Sequence, residues 1–247
     1  MKEFPVFPHA PITEALLDIR ADLPKEVNLE RLETFYNNIK ERFFEKHERV
    51  SFQTGFKFSP EGPLSLPTSS MPDGYIFKSP NENKIVQVRL DGFTFNKLKP
   101  YENWKIFCLE AHEHWDHYLQ LTSPIKITRI ALRYINRIEI PLPIKDFKEY
   151  ILTFPKIAPK LPKALNHFFM QLVIPDTDIQ ATAIITQTIE TPMKNRLPLI
   201  LDIDVFRETS YNINNKDEMW DEFQKLRKFK NEIFFKNITK KTEELFK

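Results

Sequence analysis

The chain is poor in glycine. Four glycines in 247 residues is well below the usual ~7% of globular proteins. They stand at Gly55, Gly62, Gly74 and Gly92, and none falls in the frame of a P-loop or of a dinucleotide-binding fingerprint. Those two nucleotide-binding classes are therefore excluded. Cysteine is scarcer still. Cys108 alone allows neither an intrachain disulfide nor a cysteine-built zinc site, and one thiol is the usage of a reducing compartment. No apolar run approaches the ~18 residues of a membrane span. The opening Met1-Lys2-Glu3-Phe4-Pro5-Val6-Phe7-Pro8 lacks the apolar centre of a signal peptide. The expectation is a cytoplasmic protein with no membrane contact. The net charge of +2, from 36 basic and 34 acidic side chains, is too small to point to nucleic acid by itself. No Gly-x-Ser-x-Gly elbow is present, so nucleophilic catalysis has no support.

What is abundant is proline, 19 residues, and phenylalanine, 22. Apolar spacing predicts a strand over 12–22. A helix should run from an Asn28 cap to about Lys46, its stripe carried by Leu29, Leu32, Phe35, Ile39 and Phe43. Val50 to Phe58 reads as a strand, and the proline-rich Ser59 to Gly74 as a long loop. Three strands follow at 75–78, 84–90 and 93–98, with Asp91-Gly92 turning the last pair. A second helix spans about 101–121. A long strand over 125–140 alternates Ile130, Leu132, Tyr134 and Ile138 with Arg129, Arg133 and Arg137. A short helix from Pro143 to Leu152, a proline-punctuated connector over 155–162, strands at 166–174, 179–190 and 199–207, and a helix over 216–246 complete the chain.

The order of elements repeats, and so do residues. Ile12-Thr13 and Leu17 match Ile127-Thr128 and Leu132 at one offset; Leu90-Asp91 and Phe95 match Leu201-Asp202 and Phe206 at another. Trp104-x-x-Phe107 opens one helix as Trp220-x-x-Phe223 opens another. The fold expected is α+β, an internal duplication with halves at 1–122 and 123–247. Each half is an antiparallel sheet with helices on one face, and the two join edge to edge as one compact pseudo-symmetric unit. The element order resembles the doubled unit of the TATA-binding-protein-like folds, a resemblance that carries no implication for DNA.

Three strings carry a second resemblance: Pro11-Ile12-Thr13-Glu14-Ala15, the run Leu132-Arg133-Tyr134-Ile135-Asn136-Arg137-Ile138, and Leu197-Pro198-Leu199. In content and order they resemble a sporadically distributed family of uncharacterised bacterial proteins of about this length. The resemblance implies a bacterial cytosolic protein, with a hint of mobile or defence-linked genes, and no activity.

Two constellations could carry chemistry, and a third region could carry charge. His112, His114 and His117 cluster with Glu110, Glu113 and Asp116. On a helix, Glu110, His114 and His117 share a face, and such spacings can hold zinc; the His-Glu-x-x-His pattern is not met. Their plainer reading is a solvated face of side-chain pairs. Arg129, Arg133 and Arg137 project from one sheet face in a row about 13 Å long, suited to phosphates or carboxylates. Arg89 adds a fourth charge, and Asn136 lies on the apolar side with Tyr134. The plainer reading pairs these arginines with Glu139, Asp202 and Asp204. The last helix, basic with interleaved Phe229, Phe234 and Phe235, suits either an acidic partner or packing on the sheet.

The function expected is a non-catalytic binding or interaction protein, with an unknown protein or anionic ligand as partner and no cofactor. The candidate binding residues are Arg89, Arg129, Arg133, Asn136 and Arg137. Two alternatives stand beside it. One is nucleic-acid binding through the arginine row and the last helix. The other is a metal-dependent enzyme at His112 to His117.

Overall fold

The computed structural model describes residues 4–53, 56–59, 62–65, 69–158, 160–161, 165–211 and 216–247. The strands in chain order are β1 (Ile12–Asp22), β2 (Glu45–Gln53), β3 (Phe56–Ser59), β4 (Gly62–Ser65), β5 (Ser69–Ser79), β6 (Lys84–Arg89), β7 (Gly92–Leu98), β8 (Lys126–Pro141), β9 (Phe169–Asp176), β10 (Ala181–Ile189) and β11 (Arg196–Tyr211). The helices are α1 (Leu29–Glu33), α2 (Tyr36–Ile39), α3 (Trp104–Thr122), α4 (Lys216–Asn237) and α5 (Lys240–Glu244). The protein is mixed α and β and dominated by its sheet.

Nine strands form one antiparallel sheet in the order β2-β5-β6-β7-β1-β8-β11-β10-β9, and β3 pairs with β4 in a separate hairpin. The centre is the pairing of β1 with β8, in which Leu17 lies opposite Leu132, Ala15 opposite Tyr134 and Ile19 opposite Ile130. On either side Leu17 faces Phe95 of β7 and Leu132 faces Val205 of β11. Strand side chains alternate between faces, so one face collects Ala15, Leu17, Ile19, Phe93, Phe95, Ile130, Leu132, Ile203 and Val205, all buried. The helices cover that face. Trp115 and Tyr118 of α3 lie against Phe93, and the apolar stripe of α4 buries Phe223, Leu226, Ile233 and Phe234. The opposite face is charged, and no helix among the described residues covers it.

α3 and α4 run antiparallel and touch at two points in their N-terminal halves. The Arg227 guanidinium lies 5.5 Å over the Trp104 ring, and His112 stacks on Trp220 with ring centroids 4.4 Å apart.

Several expected elements take another form. Asn28 caps a helix, accepting from the Arg31 N–H at 2.9 Å. That helix stops after Glu33, where the Thr34 hydroxyl bonds the Arg31 carbonyl at 2.7 Å, a local bond that competes with propagation. Residues from Glu45 onward pair with β5 instead, and β2 becomes the edge strand on that side of the sheet. Within the expected loop from Ser59 to Gly74, residues 62–65 and 69–74 are strand, and 60, 61 and 66–68 lie outside the described residues. The expected helix over 143–152 is a single 3-10 turn, Phe147–Glu149, because Ile151 bridges Ile238. That same bridge interrupts the last helix, and Thr239 caps α5. In the connector over 155–162, residues 159 and 162 lie outside the described residues. The matched pair Phe95 and Phe206 falls on opposite faces: Phe95 is in the core, whereas Phe206 lies under the Arg129 guanidinium, 4.4 Å away. The sheet runs unbroken across the expected division at residue 122.

Gly92 sits at a φ of +148°, and a Cβ there would come within 2.2 Å of the Ile19 carbonyl oxygen. Gly92→Ala should therefore lower stability by about 2 kcal/mol or more. Denaturant unfolding checks this: an unchanged midpoint would mean that the β6–β7 turn tolerates a side chain.

Candidate functional site

The charged sheet face is organised around Asp18 of β1. Its carboxylate accepts from Arg89 at 2.9 Å, from the Thr94 hydroxyl at 2.7 Å and from Arg129 at 3.2 Å. Arg89 is 4% exposed and also bonds Asp91 at 2.8 Å. Arg133 forks onto Asp202, its Nε and Nη2 at 3.0 and 2.6 Å, and that bonding holds the guanidinium's pKa above its ordinary value. Arg129 reaches Asp204 at 3.7 Å. Arg137 bonds Glu190 at 3.0 Å and also Glu139. The row is therefore an ion-pair ladder against the three carboxylates named from the sequence, Glu139, Asp202 and Asp204. Around it opens a concavity of about 460 Å³ that Arg20, Arg49, Arg89, Arg129 and Arg133 share with Asp18, Asp204 and Glu208.

Arg89, Arg129, Arg133 and Arg137 thus share one face, as their spacing requires. Asn136 does not join them. It is buried on the helix side, its amide nitrogen donating to the carbonyls of Leu201 at 3.0 Å and Tyr134 at 3.3 Å. The last helix also lies on that side, so the arginine row and the basic helix cannot form one nucleic-acid surface. Several of the helix's outer lysines meet nearby carboxylates: Lys225 reaches Glu222, and Lys228 and Lys236 reach Glu232.

The histidines do not converge. His114 is buried between Phe43 and Phe95, and neither ring nitrogen has a partner among the described residues. His112 stacks on Trp220 and lies 3.6 Å from Asp116; His117 meets the edge of Phe35. Glu110 bonds Lys84 at 2.6 Å. Among the described residues, no three His, Cys, Asp or Glu side chains are grouped to hold a metal ion. Burial, with the nearby Arg42 charge, pushes the His114 pKa down to about 3. Cys108 is half-buried, and burial raises its thiol to about 11.

A second cavity, about 160 Å³, lies on the helix side where residues 4–12 cross the end of the β1–β8 pair. Phe4 and Phe7 lie over Phe235 of α4. The floor is Tyr134 and Asn136; Tyr101, Asn103 and Trp104 form one wall, and Arg227, Lys230 and Phe234 the other. Lys230 is 8% exposed. Its Nζ sits 3.7 Å over the Tyr134 ring, and among the described residues no carboxylate bonds it. Burial, with the Arg227 charge nearby, lowers its pKa to about 7. The Tyr101 and Tyr134 hydroxyls share a bond of 2.9 Å. Burial lifts Tyr101 to about 12 and Tyr134 well above its ordinary value, so both remain neutral phenols. Pro11 and Ile12 complete the rim, which brings two of the strings singled out in the sequence to one place.

No family model matches the chain. No curated protein matches it either. The chemistry of the cavity and of the ladder must therefore be read from their own residues.

Lys230 was not singled out in the sequence, where it closes the basic run Lys225 to Lys230. The signal was its helical phase: Phe223, Leu226, Lys230 and Phe234 are three or four residues apart and fall on one stripe, all four buried.

Two measurements follow. Arg89→Leu should cost about 3 kcal/mol or more, because it takes a buried, hydrogen-bonded cation from both Asp18 and Asp91. Arg133→Gln, at a side chain 45% exposed, should cost ~1 kcal/mol. Equal losses in denaturant unfolding would refute the buried hub. The second concerns pH. His114 has an ordinary pKa of 6.5 and a folded value of about 3, so between those values the unfolded chain binds a proton that the folded chain refuses. Stability should fall as pH drops through that window, by up to about 1.4 kcal/mol per pH unit from this one group. His114→Leu should flatten the slope; an identical slope in the variant would place the titration elsewhere.

Proposed function

We propose that the chain is a non-catalytic binding protein whose ligand seat is the cavity beneath residues 4–12. One observation carries this reading: Lys230 is buried in an aromatic pocket with no carboxylate bonded to it among the described residues. Desolvating an amine in this way opposes folding, and a methionine of similar length would fill the same stripe without that cost. A side chain that weakens the fold and lines a cavity is best explained by what enters the cavity. A cytoplasmic setting is part of the proposal, supported by the single thiol. No helix among the described residues is long and apolar enough to cross a membrane.

The finer architecture belongs to the same proposal. We infer that the two halves are copies related by a pseudo-twofold axis through the Leu17–Leu132 pair. From the centre outward the strand order reads β1-β7-β6-β5 on one side and β8-β11-β10-β9 on the other. Making Leu17 equivalent to Leu132 sends the pair Ala15–Tyr134 onto Ile19–Ile130, both of which occur. It also makes Phe95 equivalent to Val205 rather than to Phe206, a shift of one residue from the sequence match. The two tryptophans support the axis, since each reaches across to a side chain two turns along the other helix. The arrangement is compatible with the doubled TATA-binding-protein-like order. On this reading the seat lies off the axis, which leaves it single.

A second reading, binding of a polyanion such as single-stranded nucleic acid on the open face, draws on the five arginines of the large concavity. Arg20, half exposed, lies 3.4 Å from Asp91 and 4.0 Å from Asp18. Salt-sensitive gel shifts lost in Arg20→Ala would favour it.

The primary reading predicts that a neutral one-ring probe, benzyl alcohol, saturates at one equivalent per chain in isothermal titration. Ala10→Trp, which places an indole in the lining, should abolish that binding in a folded protein. Lys230→Met should raise stability by about 1 kcal/mol or more at neutral pH. Benzyl alcohol binding untouched by Ala10→Trp, or a Lys230→Met variant less stable than the parent, would overturn the proposal.

A further inference from the structure

The cavity's polar groups are unbalanced, and the imbalance specifies a ligand class. We infer that the seat takes a small organic acid: a flat apolar body between the aromatic walls, with its carboxylate toward Lys230 and Arg227. This inference rests on the cavity being a ligand seat and adds the charge of the occupant.

Two cationic side chains line the cavity, and neither makes an ion pair among the described residues. Arg227 rests on the Trp104 face and Lys230 on the Tyr134 face; ring faces attract cations and leave their N–H groups available. One carboxylate lines the cavity, that of Glu102, and it is engaged by Lys97 at 3.0 Å. Of the neutral groups, Asn136 offers its side-chain oxygen, because its nitrogen already donates to two carbonyls, while the phenols and Asn103 offer donors. Two phenols sharing one hydrogen bond use one O–H and leave the other to donate. Asn103 uses its side-chain oxygen to cap α3, accepting from the Ile106 N–H at 3.0 Å, so its NH₂ remains. Donors therefore outnumber acceptors around an aromatic slot, and a carboxylate is the group that accepts several N–H and O–H bonds at once. A planar guanidinium adds a two-pronged fit to such an anion. The cavity is small for a nucleotide, which leaves acids of one ring or a short branched chain.

Other chemistry is open to a buried amine. An aldehyde could condense with the Lys230 amine to an imine with release of water, and that path needs no second cation. The unpaired Arg227 beside it favours the acid.

Isothermal titration with benzoate and its neutral isostere benzamide tests the inference. The parent chain should bind benzoate about tenfold or more tightly than benzamide. Lys230→Met and Arg227→Gln should each reduce that ratio, and together they should bring it to about one while benzamide affinity holds. Equal affinities in the parent would overturn the charge assignment and leave the seat itself standing. Binding of neither compound, together with a failure of benzyl alcohol to bind, would overturn both. Borohydride trapping of benzaldehyde on Lys230, with no preference for benzoate, would replace the acid with a carbonyl ligand and so refute the inference.

Discussion

The pairing of Ile12–Asp22 with Lys126–Pro141 sets everything around it. Its register places Leu17 against Leu132 and so fixes which side chains of both strands face the helices. A slip of one residue would carry Leu132 into the charged side and Arg133 into the core. The opposition of the two faces is thus the register expressed twice: as an apolar layer under α3 and α4, and as a ladder of guanidiniums and carboxylates on the other side. Asp18 extends that ladder across β1 to β7 and β8, so the charged face repeats in ion pairs what the core does in packing.

Period-two alternation made the arginine face legible before any coordinates. Arg129, Arg133 and Arg137 share a face with three carboxylates of known parity, and the pairing follows from cross-strand neighbours. The edges of the sheet were less legible. Val50 to Gln53 reads as strand from its own pattern, but Glu45–Arg49 carries no β-branched residue and follows a helical stripe; what extends the strand there is the unpaired edge of β5, a tertiary demand that no local pattern contains. The Phe95 and Phe206 match failed for a related reason: like residues were aligned in sequence, whereas equivalence in a sheet is set by hydrogen-bond register. The cavity was the least legible, because it gathers residues from four distant stretches, and its central group looked like one more lysine in a basic run.

The two faces also divide the work of charge. On the open side each guanidinium of the row has a carboxylate, and the field it presents is largely cancelled. On the helix side Arg227 and Lys230 stand without one among the described residues. The smaller number of charges therefore makes the stronger claim on a ligand, since an interaction in a desolvated slot is weakened less by solvent and salt than one on an open surface.

The central pairing has a kinetic consequence. β1 is made early in the chain, yet its two partners are β7 and β8, the second more than a hundred residues further on. The sheet cannot close at its middle until the chain has been made through Pro141, and β1, α3 and the strands between them must wait with an apolar flank exposed. Such long-range topologies fold slowly and are vulnerable to association while they wait. The charged flank of β1, with Asp18 and Arg20 pointing away from the core, gives the waiting intermediate one soluble side.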